Sequence, residues 1–229
     1  MKKLLLPIAL LGVVAGAVMY FWTQSRGGAG AAAAAASVPG MPAATGANGT
    51  AAGKKSARVI PEVLPDFTLA TLEGPPRTLS SYQHPSLIVN FWATWCAPCR
   101  REIPLLRQLR AERGARGVEV LGIAVDFRED VEKYVAKIGL DYPLMIGEED
   151  GLAAADAFGI DPAFPFTVFA DAQRRIVAVK VGELHADEAA FILDHIELLN
   201  AGRLPLKDVQ SLIRAELQRL EALRTEKPA

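Results

Sequence analysis

Only two cysteines occur among the 229 residues, too few for the disulfide framework that holds small secreted domains together. Histidine is as scarce. His84, His185 and His195 stand singly with no paired spacing, and the two cysteines alone would supply half of a tetrahedral zinc site. An excess of charge of one sign is also lacking: the formal net charge is −1, which offers no basic face to a nucleic-acid backbone. There is no internal repeat and no motif that asks for a cofactor. With framework, metal and nucleic acid set aside, the two cysteines need a local explanation.

What is present begins with an apolar block. Met1-Lys2-Lys3 precedes nineteen uncharged residues, Leu4 to Trp22. As a helix they span roughly 28 Å, close to the ~30 Å hydrocarbon core of a bilayer. Pro7 lies near one end, and Tyr20 and Trp22 sit at the other as interfacial aromatics. Lys2 and Lys3 outweigh Arg26, so the start is expected to stay cytoplasmic. Ala15-Gly16-Ala17 offers a signal-peptidase pattern as the alternative; an anchor and a cleaved signal would both export the remainder of the chain. Residues 27–57 are Gly/Ala-rich with almost no large side chains, so they cannot build a core. As a flexible chain they reach roughly 30 Å. The expected layout is a membrane segment over 1–26, a linker over 27–57, a folded domain over 58–200 and a helical extension over 201–229.

Within the domain, Leu64 to Leu69 reads as a strand, Gly74-Pro75-Pro76 as a turn and Arg77-Thr78-Leu79 as its returning partner. Ser80 is placed to cap a short helical turn. Leu87 to Trp92 is a near-continuous apolar run, suited to a strand buried on both faces. A helix comes next over 97–113, with Pro104 expected to kink it and Gly114 and Gly117 to end it. Val118 to Val125 is the next strand, and Glu129 to Ile138 the next helix, with Asp126, Glu129 and Asp130 read as its cap. Leu144-Met145-Ile146 is a short apolar stretch and Gly151 to Phe158 a short helix. Phe166 to Phe169 and Ile176 to Val181 form a hairpin, and Asp187 to Leu199 a helix. The order β-α-β-α, hairpin, α describes an α/β sandwich with an antiparallel pair added to a parallel core. A last helix carries Leu206, Val209, Ile213, Leu220 and Leu223 on one stripe, interrupted by Glu216. It either packs on the domain or meets a partner, and the oligomeric state stays open.

The strongest motif is Trp95-Cys96-Ala97-Pro98-Cys99, set between a buried strand and a helix. The thiolate is the reactive form of cysteine, and an unperturbed thiol ionises too high for fast exchange near neutral pH. A helix N-terminus favours negative charge through its unpaired N–H groups and dipole. Cys96 at that start is expected to be the exposed attacker, with Cys99 one turn inside, buried, resolving the mixed disulfide. Pro98 falls in the first turn, where a missing N–H does little harm. A structural disulfide, half of a zinc site and two inert thiols are the competing readings.

The stretch Val89-Asn90-Phe91-Trp92-Ala93-Thr94-Trp95-Cys96-Ala97-Pro98-Cys99-Arg100-Arg101-Glu102 resembles the TlpA/ResA-type branch of the thioredoxin superfamily, which includes the CcmG/DsbE proteins of cytochrome c maturation. The resemblance runs from about Leu64 to Asn200. It implies a thioredoxin-like three-layer sandwich, a central mixed sheet flanked by helices with an N-terminal β-hairpin, working in disulfide exchange outside the cytoplasm. It also implies a cis-proline facing the cysteines, which Phe164-Pro165-Phe166 matches at Pro165. Phe164 would then pair with a substrate peptide. The alternative is a trans proline that merely starts an edge strand. Asn90 stands where cytoplasmic thioredoxins have a buried aspartate, so a proton carrier must come from elsewhere. Glu102, one helical turn beyond Cys99 and at a position where the resemblance places an acidic residue beside the cysteines, is the candidate; the alternative is a solvated surface glutamate paired with an arginine. Arg100 and Arg101 read as a solvated face, Trp92 as core, and Trp95 as an apolar rim for a docking partner.

The expected activity is therefore that of a membrane-anchored extracytoplasmic thiol–disulfide oxidoreductase. Its partners would be protein dithiols and disulfides, including an apocytochrome haem motif, and a membrane thiol carrier as electron donor. An oxidase or isomerase, a peroxidase-like domain and a non-catalytic binding module are the alternatives.

Overall fold

The structure, a computed structural model, describes residues 59–161 and 163–226. The expected membrane segment over 1–26 and linker over 27–57 lie outside the described residues. Among the described residues no helix is long and apolar enough to cross a membrane.

A single mixed sheet forms the centre. β1 (Thr68–Thr71) and β2 (Arg77–Thr78) make a small antiparallel hairpin. β3 (Ser86–Trp92) pairs in parallel with β4 (Val118–Ala124), and β4 in parallel with β5 (Leu144–Ile146). β6 (Phe166–Ala170) and β7 (Ile176–Val181) continue antiparallel from the other side of β3. The strand order is β2-β1-β5-β4-β3-β6-β7. Five helices accompany it among the described residues: α1 (Ala97–Arg113), α2 (Arg128–Ile138), α3 (Glu149–Asp156), α4 (Ala186–Asn200) and α5 (Leu206–Glu226).

All seven residues of β3 are buried, because both faces of the sheet are covered. Alternation along a strand sends Leu87, Val89 and Phe91 to one face and Ile88, Asn90 and Trp92 to the other. The first face packs against Phe158, with the Phe91 ring stacked on Phe166 at 4.3 Å and edge-on to Phe158 at 5.4 Å. The second face packs against α1, α4 and α5 through Ile103, Leu106, Ile192, Ile196 and Ile213. Burying such side chains stabilises by about 1.5–3 kcal/mol each. The loop into β4 needs Gly117, whose φ is +86° and whose added Cβ would meet Pro85 Cγ at 2.6 Å.

Several local expectations are corrected. Leu144–Ile146 is a strand that joins the hairpin to the parallel core, through Ala70 opposite Ile146; three residues are too few to display a period in sequence. The first strand starts at Thr68, while Val63 bridges Arg175 and the Leu64 N–H donates to the Arg174 carbonyl. Pro65, with no N–H to donate, separates the two pairings. Ser80 caps nothing; its N–H and hydroxyl both donate to Asp66, each at 2.8 Å. α1 continues as one helix through Pro104, which lies on its exposed side. The helix after β4 is preceded by Phe127 and has no side-chain cap, because Asp126 is engaged elsewhere. On α5, Leu223 is 49% exposed and Leu217 takes its place in the buried stripe. That stripe packs on α4 and β7.

Candidate active site

β3 ends at Trp92, and the chain turns through Ala93, Thr94 and Trp95 into the first turn of α1. Cys96 is the residue immediately before that helix, in extended geometry, and its Sγ accepts a hydrogen bond from the Cys99 N–H at 3.3 Å. Cys96 and Cys99 are joined by a disulfide. The sulfur of Cys96 thus occupies the position where a helix N-terminus presents free N–H groups to a negative charge. Sequence reasoning expected Cys96 to be exposed. It is only 5% accessible, against 0% for Cys99, because the bond to Cys99 draws its sulfur into the first turn. The order of access is kept while the degree is smaller. Pro98 is half-buried in the same turn.

The loop is held from below. Asp126, at the end of β4, accepts from the Thr94 N–H at 2.9 Å and the Thr94 hydroxyl at 2.6 Å, and its other oxygen accepts from the Phe127 N–H at 2.9 Å. This carboxylate, 8% exposed, clamps the residue two before Cys96. Its only trace in sequence was an acidic residue at a strand end, which equally suggests a cap. Trp95 is 66% exposed, and the half-buried Phe164 ring stands edge-on to it at 6.4 Å. The Phe164–Pro165 peptide bond is cis, and Pro165 is buried. Arg101 is occupied by Glu183, donating from Nε at 2.9 Å. Arg100 is exposed.

Glu102 is 1% exposed. Its Oε1 accepts from Asn90 Nδ2 at 2.7 Å and its Oε2 from the Leu184 N–H at 2.8 Å. Asn90 Nδ2 also donates to the Thr167 hydroxyl at 3.0 Å. Burial pushes the Glu102 carboxyl up to about 7; the two hydrogen bonds pull it down, Glu183 raises it and Lys180 lowers it. Lys180 is itself paired at 2.9 Å with the buried Glu188, which Arg224 of α5 also reaches at 2.8 Å. One turn of α1 separates Glu102 from Cys99, which puts both on its sheet-facing side. The result is a redox-capable cysteine pair at a helix start, one turn from a buried carboxyl that desolvation raises to about 7. Such a set can exchange disulfides and move a proton as it does so. Of the three histidines, His84 lies 3.9 Å from Glu119, His195 Nδ1 contacts the Phe191 carbonyl at 2.8 Å, and His185 precedes α4 with its backbone N–H donating to Glu188.

Comparison with known proteins agrees with this chemistry. Residues 60–179 match the AhpC/TSA family. The chain is 32% identical over 145 residues to the thiol-disulfide oxidoreductase ResA of Geobacillus thermodenitrificans, covering 63% of this chain and 80% of that one. It is 35% identical over 118 residues to the ResA of Halalkalibacterium halodurans, covering 51% of this chain and 65% of the relative. A secreted thiol-disulfide isomerase from Corynebacterium glutamicum superposes with a TM-score of 0.50 at 34% identity, over 55% of this chain and 80% of that one. A putative DsbE interchange protein from Chlorobium tepidum shares the fold, with a TM-score of 0.54 at 24% identity, over 62% of this chain and 97% of that one. Strand order, cysteine placement and kinship agree that this chain belongs to the AhpC/TSA family, as a thioredoxin-fold thiol–disulfide oxidoreductase related to ResA.

Proposed function

We propose that the protein is a dithiol reductant of protein disulfides, working outside the cytoplasmic membrane and tethered by its N-terminal apolar segment. The observation that carries the reading is the buried Glu102, its carboxyl at about 7, one turn beyond a cysteine pair at a helix start. In the reduced protein the Cys96 thiolate attacks one sulfur of a substrate disulfide. That bond breaks and the first substrate sulfur leaves as a thiolate. Glu102 accepts the proton of the Cys99 thiol, and the Cys99 thiolate attacks Cys96 Sγ. The second substrate sulfur leaves, and the Cys96–Cys99 disulfide remains. Cys99 is buried, and a carboxyl poised near the working pH one turn away suits that transfer. Trp95, Phe164 and Pro98 form the apolar rim that meets the substrate chain, and Pro165 shapes the opposite wall.

The layout of anchor over 1–26, linker over 27–57, domain over 58–200 and helical extension over 201–229 fits this role. The apolar block from Leu4 to Trp22 supports the tether, and the secreted Corynebacterium relative supports an exported site of action. A suitable substrate is an oxidised apocytochrome c haem motif, and a membrane thiol carrier would return the electrons. Trapping tests the assignment: a Cys99→Ser protein should accumulate mixed disulfides with exported proteins, and a Cys96→Ser protein should lose disulfide reduction. A Cys96→Ser protein as active as wild type would end the reading. The second reading is an isomerase, which the Corynebacterium relative favours. The reduction potential separates the two: about −270 mV suits a reductant, and about −180 mV suits an isomerase.

A further inference from the structure

Among the described residues, the buried side-chain atoms without a hydrogen-bond partner include Asn90 Oδ1, Trp92 Nε1 and the Tyr142 hydroxyl oxygen; Asn90 bonds Glu102 and Tyr142 feels its charge. Buried polar groups without partners are costly, so each needs an explanation. Asn90 and Trp92 are two apart on β3 and project to the α1 face of the sheet. Gly122 on β4 is the register partner of Asn90. An added Cβ at Gly122 would run into Leu144 Cδ2, and would lie 3.0 Å from Tyr142 Cε2 and 3.1 Å from Trp92 Nε1. The glycine therefore lets the indole nitrogen and the phenol edge converge on one point of the β4 backbone. Asn90 Nδ2 reaches Thr167 on β6, so Oδ1, at the other end of the amide, is directed to the β4 side. The three atoms are complementary. The indole only donates, the amide oxygen only accepts, and the phenol does either. A buried water makes about three such bonds. Tyr142 also senses the Glu102 charge. On its outer side it borders a surface cleft of about 310 Å³, shared with Arg77, Asp141 and Pro143.

We propose that Asn90 Oδ1, Trp92 Nε1 and the Tyr142 hydroxyl hold buried water beside Gly122, and that this hydrated cluster is the path by which a proton taken up by Glu102 returns to solvent. The inference rests on Glu102 accepting the Cys99 proton. The proton passes from the Glu102 carboxyl to the water. A proton of that water passes to the Tyr142 oxygen, whose own proton goes out to the cleft, so the phenol ends neutral and Glu102 is again a carboxylate. Asn90 and Trp92 are positioning residues that seat the water. An amide at position 90 suits this task, since its charge does not change as Glu102 titrates.

The test uses the full chain and two readings. In the oxidised protein, a water-to-protein NOE to the Trp92 indole proton should reveal long-lived water. In the reduced protein, single-turnover oxidation by a small disulfide is followed from pH 5 to 9 in H2O and D2O for wild type, Tyr142→Phe and Glu102→Gln. The charged groups facing Glu102 are Lys180 on β7 and Glu183 before α4, and neither variant changes them. Below about pH 7, where Glu102 starts protonated and must first shed that proton through the path, Tyr142→Phe should slow the resolving step roughly tenfold and reduce its solvent isotope effect, leaving capture by Cys96 at the wild-type rate. Both the NOE and the selective slowing are required, and absence of either overturns the path. If Glu102→Gln resolves at the wild-type rate, the proton role of Glu102 falls and the path falls with it. If Glu102→Gln is slow while Tyr142→Phe is fast, only the path falls.

Discussion

Replacing Glu102 with glutamine should change how folding stability depends on pH. Glu102 is 1% exposed, and burial holds its carboxyl at about 7 against an ordinary value of 4.5. The folded protein therefore binds this proton more tightly than the unfolded chain does. Glu102 contributes stability that is complete below about pH 4.5 and is lost as pH rises through 7. At 1.36 kcal/mol per unit, the loss between those limits is about 3 kcal/mol, a large share of the roughly 5–15 kcal/mol that holds a domain folded. Glutamine is uncharged throughout and removes the term. It is also accommodated. The remaining side-chain oxygen keeps the Leu184 N–H, and a half-turn of the Asn90 amide turns Oδ1 to accept from the new NH2 group, with the Thr167 hydroxyl reversing to donate. Any residual mismatch shifts the baseline equally at every pH. Urea unfolding of the oxidised full chain from pH 4.5 to 8.5 gives the difference between variant and wild type, in which all other titrations cancel. That difference should move by about 3 kcal/mol in favour of the variant as pH rises. A difference that stays flat across this range would show that Glu102 keeps an ordinary carboxyl, and the argument for it as a proton carrier would go too.

Other expectations rest on single contacts. Trp95→Ala should leave stability within about 0.5 kcal/mol, since the ring is 66% exposed. It should lower kcat/KM for a protein disulfide while sparing a small one. Asp126→Ala removes both bonds to Thr94 and should cost about 1.5–3 kcal/mol in urea unfolding, with slower disulfide exchange as the loop before Cys96 loosens. Ile213→Ala, at a site 2% exposed under α5, should cost about 2–5 kcal/mol; an unchanged unfolding midpoint would mean that α5 adds nothing to the stability of the domain.

How much of the fold and the site was legible in the sequence depended on the range of the interaction concerned. The buried run Leu87 to Trp92, the helix after it and the pair Cys96 and Cys99 between them are local patterns. Periodicity and spacing along the chain were enough to assign them and to infer disulfide exchange. Leu144 to Ile146 became a strand only through neighbours on both sides, and Leu64 found its partner at Arg174, 110 residues away. Asp126 looked like a cap until the loop carrying Thr94 was folded over it. Glu102 shows the division most clearly. Helical spacing put it beside Cys99, but its environment comes from Asn90 on β3 and Leu184 before α4, residues 12 and 82 positions away. The acidity of a carboxyl is governed by the solvent it loses and the donors that replace it, and both are gathered from distant parts of the chain. Sequence alone marked the candidate nucleophile, because its chemistry is carried by two residues and the helix they begin; only the tertiary structure showed the candidate proton carrier to be buried, because desolvation is a property of the packed molecule.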